Sequence, residues 1–123
     1  MPRHRRGWAI EEPDDYKITP LMGAMVEPVL LTPLKETPQH GYNFLNSLEN
    51  LGMMPPHPSV IYRTLREMEA PHWIASDWDS DSSLGPPRRI YSLTQQGRTA
   101  LQNWQIEMQT TRDLIDKIMD RLK

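Results

Sequence analysis

Cysteine is absent from this sequence. Its absence removes disulfides and thiolate metal sites, and it suits a reducing cytoplasm. No apolar run approaches the roughly 20 residues that a membrane span needs. Charge of one sign is also missing: 14 Lys and Arg stand against 16 Asp and Glu, for a net charge of −2. That balance does not advertise a nucleic-acid binder. It does not exclude one, because the field at a surface depends on where the charges sit. The basic residues Arg3, Arg5 and Arg6 are followed by Glu11, Glu12, Asp14 and Asp15 rather than by an apolar stretch, so no secretion signal is expected and a cytoplasmic location is. The four histidines (His4, His40, His57, His72) lie far apart, and none forms a helical pair with another His or a carboxylate. No metal site or cofactor is expected. Neither a Ser-His-Asp set, a glycine-rich phosphate loop nor a carboxylate pair appears, so no enzyme is expected.

What is present is proline, 12 residues of it, placed as punctuation. Residues 1–20 mix both charge signs with Pro2, Pro13 and Pro20, and are expected to form a flexible arm. Residues 21–36, "LMGAMVEPVLLTPLKE", are apolar enough for a helix. Pro28 is tolerable only in a first turn, and Pro33 should kink or stop the helix. "TPQHGYNFLNSLENLG" (37–52) predicts a second short helix with Leu45, Leu48 and Leu51 as its stripe and Gly52 as its stop. His40 and Tyr42 would begin it.

A third helix then opens at "HPSVIYRTLREME", with His57 or Ser59 as its cap and Pro58 in its first turn. It has two faces. Ile61, Leu65 and Met68 make an ordinary core stripe. Ser59, Tyr62, Arg63 and Arg66 stand at i, i+3, i+4 and i+7, so they share the other face. Beyond Pro71, "WIASDWD" (73–79) and "RRIYSL" (88–93) have the period of strands, and the turn-rich "SDSSLGPP" lies between them. From Thr94 to the end the pattern is helical again. Leu101, Trp104, Met108, Thr111, Ile115, Ile118 and Leu122 alternate steps of three and four. Such a seam exceeds what a small domain beneath it can cover, and predicts a second copy of the same chain as partner.

The expected fold is therefore mainly α with a small β-hairpin wing: a winged helix-turn-helix (21–93) followed by a long C-terminal dimerisation helix (94–123). In that arrangement the third helix enters a DNA major groove. Arg63 and Arg66 can donate to phosphates or guanine edges, Tyr62 brings a hydroxyl on a flat ring, and Ser59 stands where helix N–H groups face anions. Arg88 and Arg89 reach DNA at the wing, and His40 and Tyr42 touch its backbone. Plainer readings stand beside these. Arg66 has Glu67 and Glu69 for intrahelical ion pairs. Arg88 and Arg89 have Asp77, Asp79 and Asp81 across the hairpin. Tyr42 has a place in the core, and the RHRR arm either enters a minor groove or is disordered.

"HGYNFLNSLENLG…PSVIYRTLREME…SDWD…GPPRRIYSLTQQGRTALQNW" resembles the PadR family of bacterial winged-helix transcriptional regulators. The motifs that carry the resemblance are His40-Gly41-Tyr42, Ile61-Tyr62-Arg63-Thr64-Leu65, Arg89-Ile90-Tyr91-Ser92-Leu93-Thr94 and Gly97-Arg98, and it covers Val26 to the C-terminus. It implies a homodimer joined through terminal helices, repression of transcription on double-stranded DNA, and a small hydrophobic or aromatic effector near the dimer centre. Trp104 and Met108, with Met22 and Met25, would line that effector slot; packing alone is the simpler use for them. The family's Glu-x-x-Gly-Leu turn after the third helix is replaced by "EAPHW", so a differently built turn is expected. The rival reading is a winged-helix protein-interaction module or an adaptor subunit that does not bind DNA.

Overall fold

In the computed structural model, the described residues are 18–79, 85 and 87–123. Five α-helices and three strands follow in the order α1 (Pro20–Ala24), α2 (Val26–Leu34), β1 (Gln39–His40), α3 (Phe44–Asn50), α4 (Pro58–Glu69), β2 (Ile74–Asp79), β3 (Arg88–Leu93) and α5 (Gln95–Arg121). The RHRR arm, Asp81 and most of the hairpin tip lie outside the described residues. The sheet is antiparallel in the order β1-β3-β2. The fold is the winged helix-turn-helix with a long C-terminal helix.

The first helical stretch is not one helix but two, and proline is the reason. Pro28 has no N–H to give the Ala24 carbonyl four residues back, and its ring would crowd that carbonyl. The chain breaks at Met25 (φ −82°, ψ −10°) and starts again at Val26, which puts Pro28 in a first turn. Pro33 likewise deprives the Val29 carbonyl, and α2 ends one residue later at Leu34. The folded part also begins earlier than residue 21. Ile18 is buried, and Thr19 caps α1 by accepting from Met22 N–H at 3.2 Å.

The second helix is shorter and rotated from its expected stripe. Phe44 and Leu48, four residues apart, are fully buried, whereas Leu45 and Leu51 are exposed. Steps of three alone drift around a helix; the buried pair obeys its 3.6-residue repeat. Residues 39–40 are not helical at all. They pair with β3, Gln39 opposite Tyr91 and His40 opposite Ile90. A 3₁₀ turn, Gly41–Asn43, carries Tyr42 before α3 begins.

α3 and α4 end in the same way. After α3, Met53 N–H bonds Leu48 O at 3.0 Å, Gly52 N–H bonds Glu49 O at 2.9 Å, and Gly52 has φ +82°. After α4, Trp73 N–H bonds Met68 O at 3.0 Å, His72 N–H bonds Glu69 O at 2.9 Å, and His72 has φ +63°. Both are Schellman ends, which need one left-handed residue. The turn into the wing therefore has the geometry that a glycine would give; only the residue differs. His72 takes the glycine's place at a steric cost.

Thr94 joins the wing to α5. Its hydroxyl accepts from Gly97 N–H at 3.0 Å and bonds the carbonyls of His72 and Trp73. A Cβ on Gly97 would stand 2.0 Å from the Trp73 carbonyl oxygen. Only glycine lets α5 pass the turn that closely.

The core gathers one face of each element: Leu30, Leu31 and Leu34 from α2, Phe44 and Leu48 from α3, Ile61, Leu65 and Met68 from α4, and Ile74 and Tyr91 from the sheet. Leu101 and Trp104 of α5 pack against it half-buried, and the Trp104 indole N–H donates to Glu27 Oε1 at 2.7 Å. The first turns of the α5 seam are thus used within the chain.

Candidate nucleic-acid interface

α4 begins on a histidine cap. His57 Nδ1 accepts from Ser59 N–H at 3.1 Å and lies 2.9 Å from the Ser59 hydroxyl, with Pro58 as the first helical residue. The inward face buries Val60, Ile61, Thr64, Leu65 and Met68. Thr64 satisfies its hydroxyl by donating to Val60 O at 2.7 Å. With that face held, the opposite side is turned outward: Ser59, Tyr62, Arg63 and Arg66 are all exposed. Among the described residues, no ion pair joins Arg66 to Glu67 or Glu69.

Tyr62 is 44% exposed because its ring leans on the turn before α3. A Cβ on Gly41 would stand 3.3 Å from its Cε1 and 3.6 Å from Tyr91 Cε2. The His-Gly-Tyr motif therefore has a packing cause: the glycine leaves room for Tyr62 of α4. Tyr91 beneath it is buried, and burial first, then the nearby Glu69 carboxylate, push its phenol above the usual 10.0. It stays neutral.

The wing root carries two arginine clusters, one on each face of the hairpin. On one face, His40 Nε2 lies 2.7 Å from Asp79 Oδ2, and the His40 ring stacks on Tyr42 with 5.3 Å between centroids. Arg88 also lies over Tyr42, 5.2 Å from its centroid, and donates to the Tyr42 hydroxyl at 3.2 Å. On the other face, Arg89 lies 4.5 Å over the Trp78 ring and donates to the Ser76 hydroxyl at 2.7 Å. Asp79 stands opposite Arg88 in register and bonds His40. Tyr42 is exposed rather than part of the core. Sequence reasoning missed Trp78 and Ser76 as partners of Arg89. Their alternation on β2 with the register of β3 was the available signal.

Between α1 and α5, Met22, Met25, Trp104 and Met108 line one groove of about 690 Å³, together with Thr111 and Ile115. Four residues proposed together from sequence are thus brought together. Farther along α5, Leu114, Ile115, Ile118, Met119 and Leu122 are exposed. Among the described residues, no three His, Asp or Glu side chains gather as metal ligands, and no helix is long and apolar enough to cross a membrane.

A helix-turn-helix ending in the two-faced α4, a wing beside it and an aliphatic terminal helix define the class of winged-helix transcriptional regulators. The chain belongs to the PadR-like family of transcriptional regulators, whose family model matches residues 30–103. Solved structures agree. A PadR family transcriptional regulator from Eggerthella lenta is 26% identical, with a TM-score of 0.70 over 80% of this chain and 85% of its own. A PadR-like transcriptional regulator from Bacillus cereus is 25% identical, with a TM-score of 0.62 over 77% and 95%. A PadR family regulator from Clostridium difficile, at 19% identity, shares the fold with a TM-score of 0.69 over 77% and 98%. No curated protein matches significantly.

Proposed function

We propose that the chain is a homodimeric repressor that binds double-stranded DNA through α4 and the wing, and that a small hydrophobic or aromatic effector releases it. The outward Tyr62–Arg63–Arg66 stripe over a fully buried Ile61–Leu65–Met68 back carries this reading. Arg63 and Arg66 supply donors that suit guanine edges and phosphates, and Ser59 sits at a helix N-terminus of matching polarity. Arg88 and Arg89 extend the contact at the wing, and His40 and Tyr42 shape its inner edge. Residues 94–123 supply the dimer contact, chiefly Met108, Ile115, Ile118 and Leu122, while Leu101 and Trp104 brace the helix on its own domain. Two copies would set their reading helices about 34 Å apart, one duplex turn. The groove at Met22, Met25, Trp104 and Met108 suits a flat apolar ligand, because Met and Trp side chains adapt to such rings.

Fluorescence anisotropy with duplex DNA across a salt series tests the DNA reading. Affinity should fall steeply with salt, as counterion release requires. Tyr62→Ala and Arg63→Ala should each weaken operator binding by about tenfold, from roughly 1–3 kcal/mol per contact, with the fold intact. A second reading, a protein-interaction module, is favoured by the acidic Asp77 and Asp79 in the wing and by arginines already engaged with Tyr42 and Ser76. It predicts no salt-dependent duplex binding. Thermal-shift measurements with planar aromatic compounds test the effector slot.

A further inference from the structure

The recognition helix and the wing are joined by one chain of hydrogen bonds. Glu69, the last residue of α4, accepts from the Ser76 hydroxyl of β2 at 2.6 Å. The same hydroxyl oxygen accepts from Arg89 Nη1 of β3 at 2.7 Å. A serine hydroxyl holds one proton and two lone pairs, a carboxylate only accepts, and a guanidinium only donates. The polarity of the chain is therefore set: Arg89 to Ser76 to Glu69. The guanidinium is also stacked over Trp78, which is 57% exposed. Trp78 stands opposite Arg89 in register and Ser76 opposite Tyr91, so all four share one face of the hairpin, the face that meets α4.

A free surface arginine loses rotamer entropy when it is fixed on a ligand. Arg89 is held beforehand on two sides, by the ring of Trp78 and by the lone pair of Ser76. One N–H is spent on Ser76, and the rest of the planar fork remains for an anion. The Glu69 carboxylate stands behind Ser76 rather than on the guanidinium.

We infer that Ser76, anchored on Glu69, and Trp78 are positioning residues that aim Arg89 at a DNA phosphate. This rests on the DNA-binding reading above. The ligand class is a backbone phosphodiester, an anion whose oxygens match a charged, donor-only fork.

The test is anisotropy over a salt series with the full chain, its variants and one duplex. Arg89→Ala should weaken binding and lower the salt slope by about 0.9, one phosphate's worth. Ser76→Ala should weaken binding about three- to tenfold, the scale of one ordinary hydrogen bond, because it acts on DNA only through the placement of Arg89. Ser76→Thr, which keeps the hydroxyl, should restore it. Added to Arg89→Ala, Ser76→Ala should cost nothing further, because its only route to DNA is that arginine. Trp78→Leu alters an exposed residue outside the core and should weaken binding in the same direction, so a failure of Ser76→Ala to fold leaves the inference testable. Wild-type affinity in both Ser76→Ala and Trp78→Leu, or an undiminished Ser76→Ala effect without Arg89, overturns the inference while leaving the DNA reading intact. A wild-type chain that shows no salt-dependent binding overturns both.

Discussion

α4 and α5 are both amphipathic helices, and they treat their apolar faces in opposite ways. α4 buries five of its 12 residues against its own domain. α5 is 27 residues long and buries only Gly97 and Ala100. Its seam leans on the domain at Leu101 and Trp104, passes the groove at Met108 and Thr111, and then runs bare to Leu122. Apolar periodicity thus states that a face will be covered; it does not state by what. For α4 the cover is α2 and the sheet. For α5 beyond Thr111 the described residues leave Ile115, Ile118 and Leu122 exposed, which is why a second copy enters as the proposed partner.

Ile118→Glu probes the bare end most sharply. In a dimer it places one unpaired charge per copy in an apolar contact, at about 3–5 kcal/mol each. Sedimentation should show self-association lost while the helical circular dichroism signal of the domain remains; a variant that stays associated breaks the comparison. Leu65→Ala probes the covered helix. Leu65 is 0% exposed, so its truncation should cost about 2–5 kcal/mol in denaturant unfolding. Leu114→Ala on exposed α5 should cost the isolated chain almost nothing. Gly97→Ala tests the joint between domain and terminal helix. Its Cβ meets backbone rather than a movable side chain, and overpacking of about 1–3 kcal/mol should lower the unfolding midpoint. A small effect of opposite sign is expected at the end of α4. His72→Gly should raise stability by about 0.5–1 kcal/mol, the left-handed penalty of about 1–2 kcal/mol less the extra chain entropy of glycine. Thermal unfolding checks it, and a drop would mean that the imidazole does something that the backbone geometry does not explain.

Much of the fold was legible because its signals are local. The two faces of α4 follow from the 3.6-residue repeat, and Ile61, Leu65 and Met68 are buried while Ser59, Tyr62, Arg63 and Arg66 are exposed. β3 spans Arg88–Leu93 as its alternation indicated, and Thr94 caps α5. What escaped depended on distant partners. Gln39 and His40 carry no strand period over two residues; they are a strand because β3 offers an open edge there. Leu45 and Leu51 lost the core to Phe44, whose neighbour in space is Tyr91, with 5.9 Å between ring centroids. The break at Met25 was legible in principle, since Pro28 sits four residues past Ala24. The wing arginines were visible as charges, but their holders, Tyr42 and the Ser76–Trp78 pair, are set by register and by the approach of two elements.

By itself the sequence determined where segments stop and which way they face. Pro28, Pro33 and Pro58 remove donors, Gly52 takes a left-handed turn cheaply, and helical periods sort the side chains, all within a few residues of chain. Tertiary structure alone decided which hydroxyl receives which guanidinium, that Gly41 makes room for Tyr62, and how much of the α5 seam its own domain covers. Those outcomes depend on atoms far apart in sequence meeting at van der Waals and hydrogen-bond distances. No local preference encodes them, because they arise only when the whole core closes.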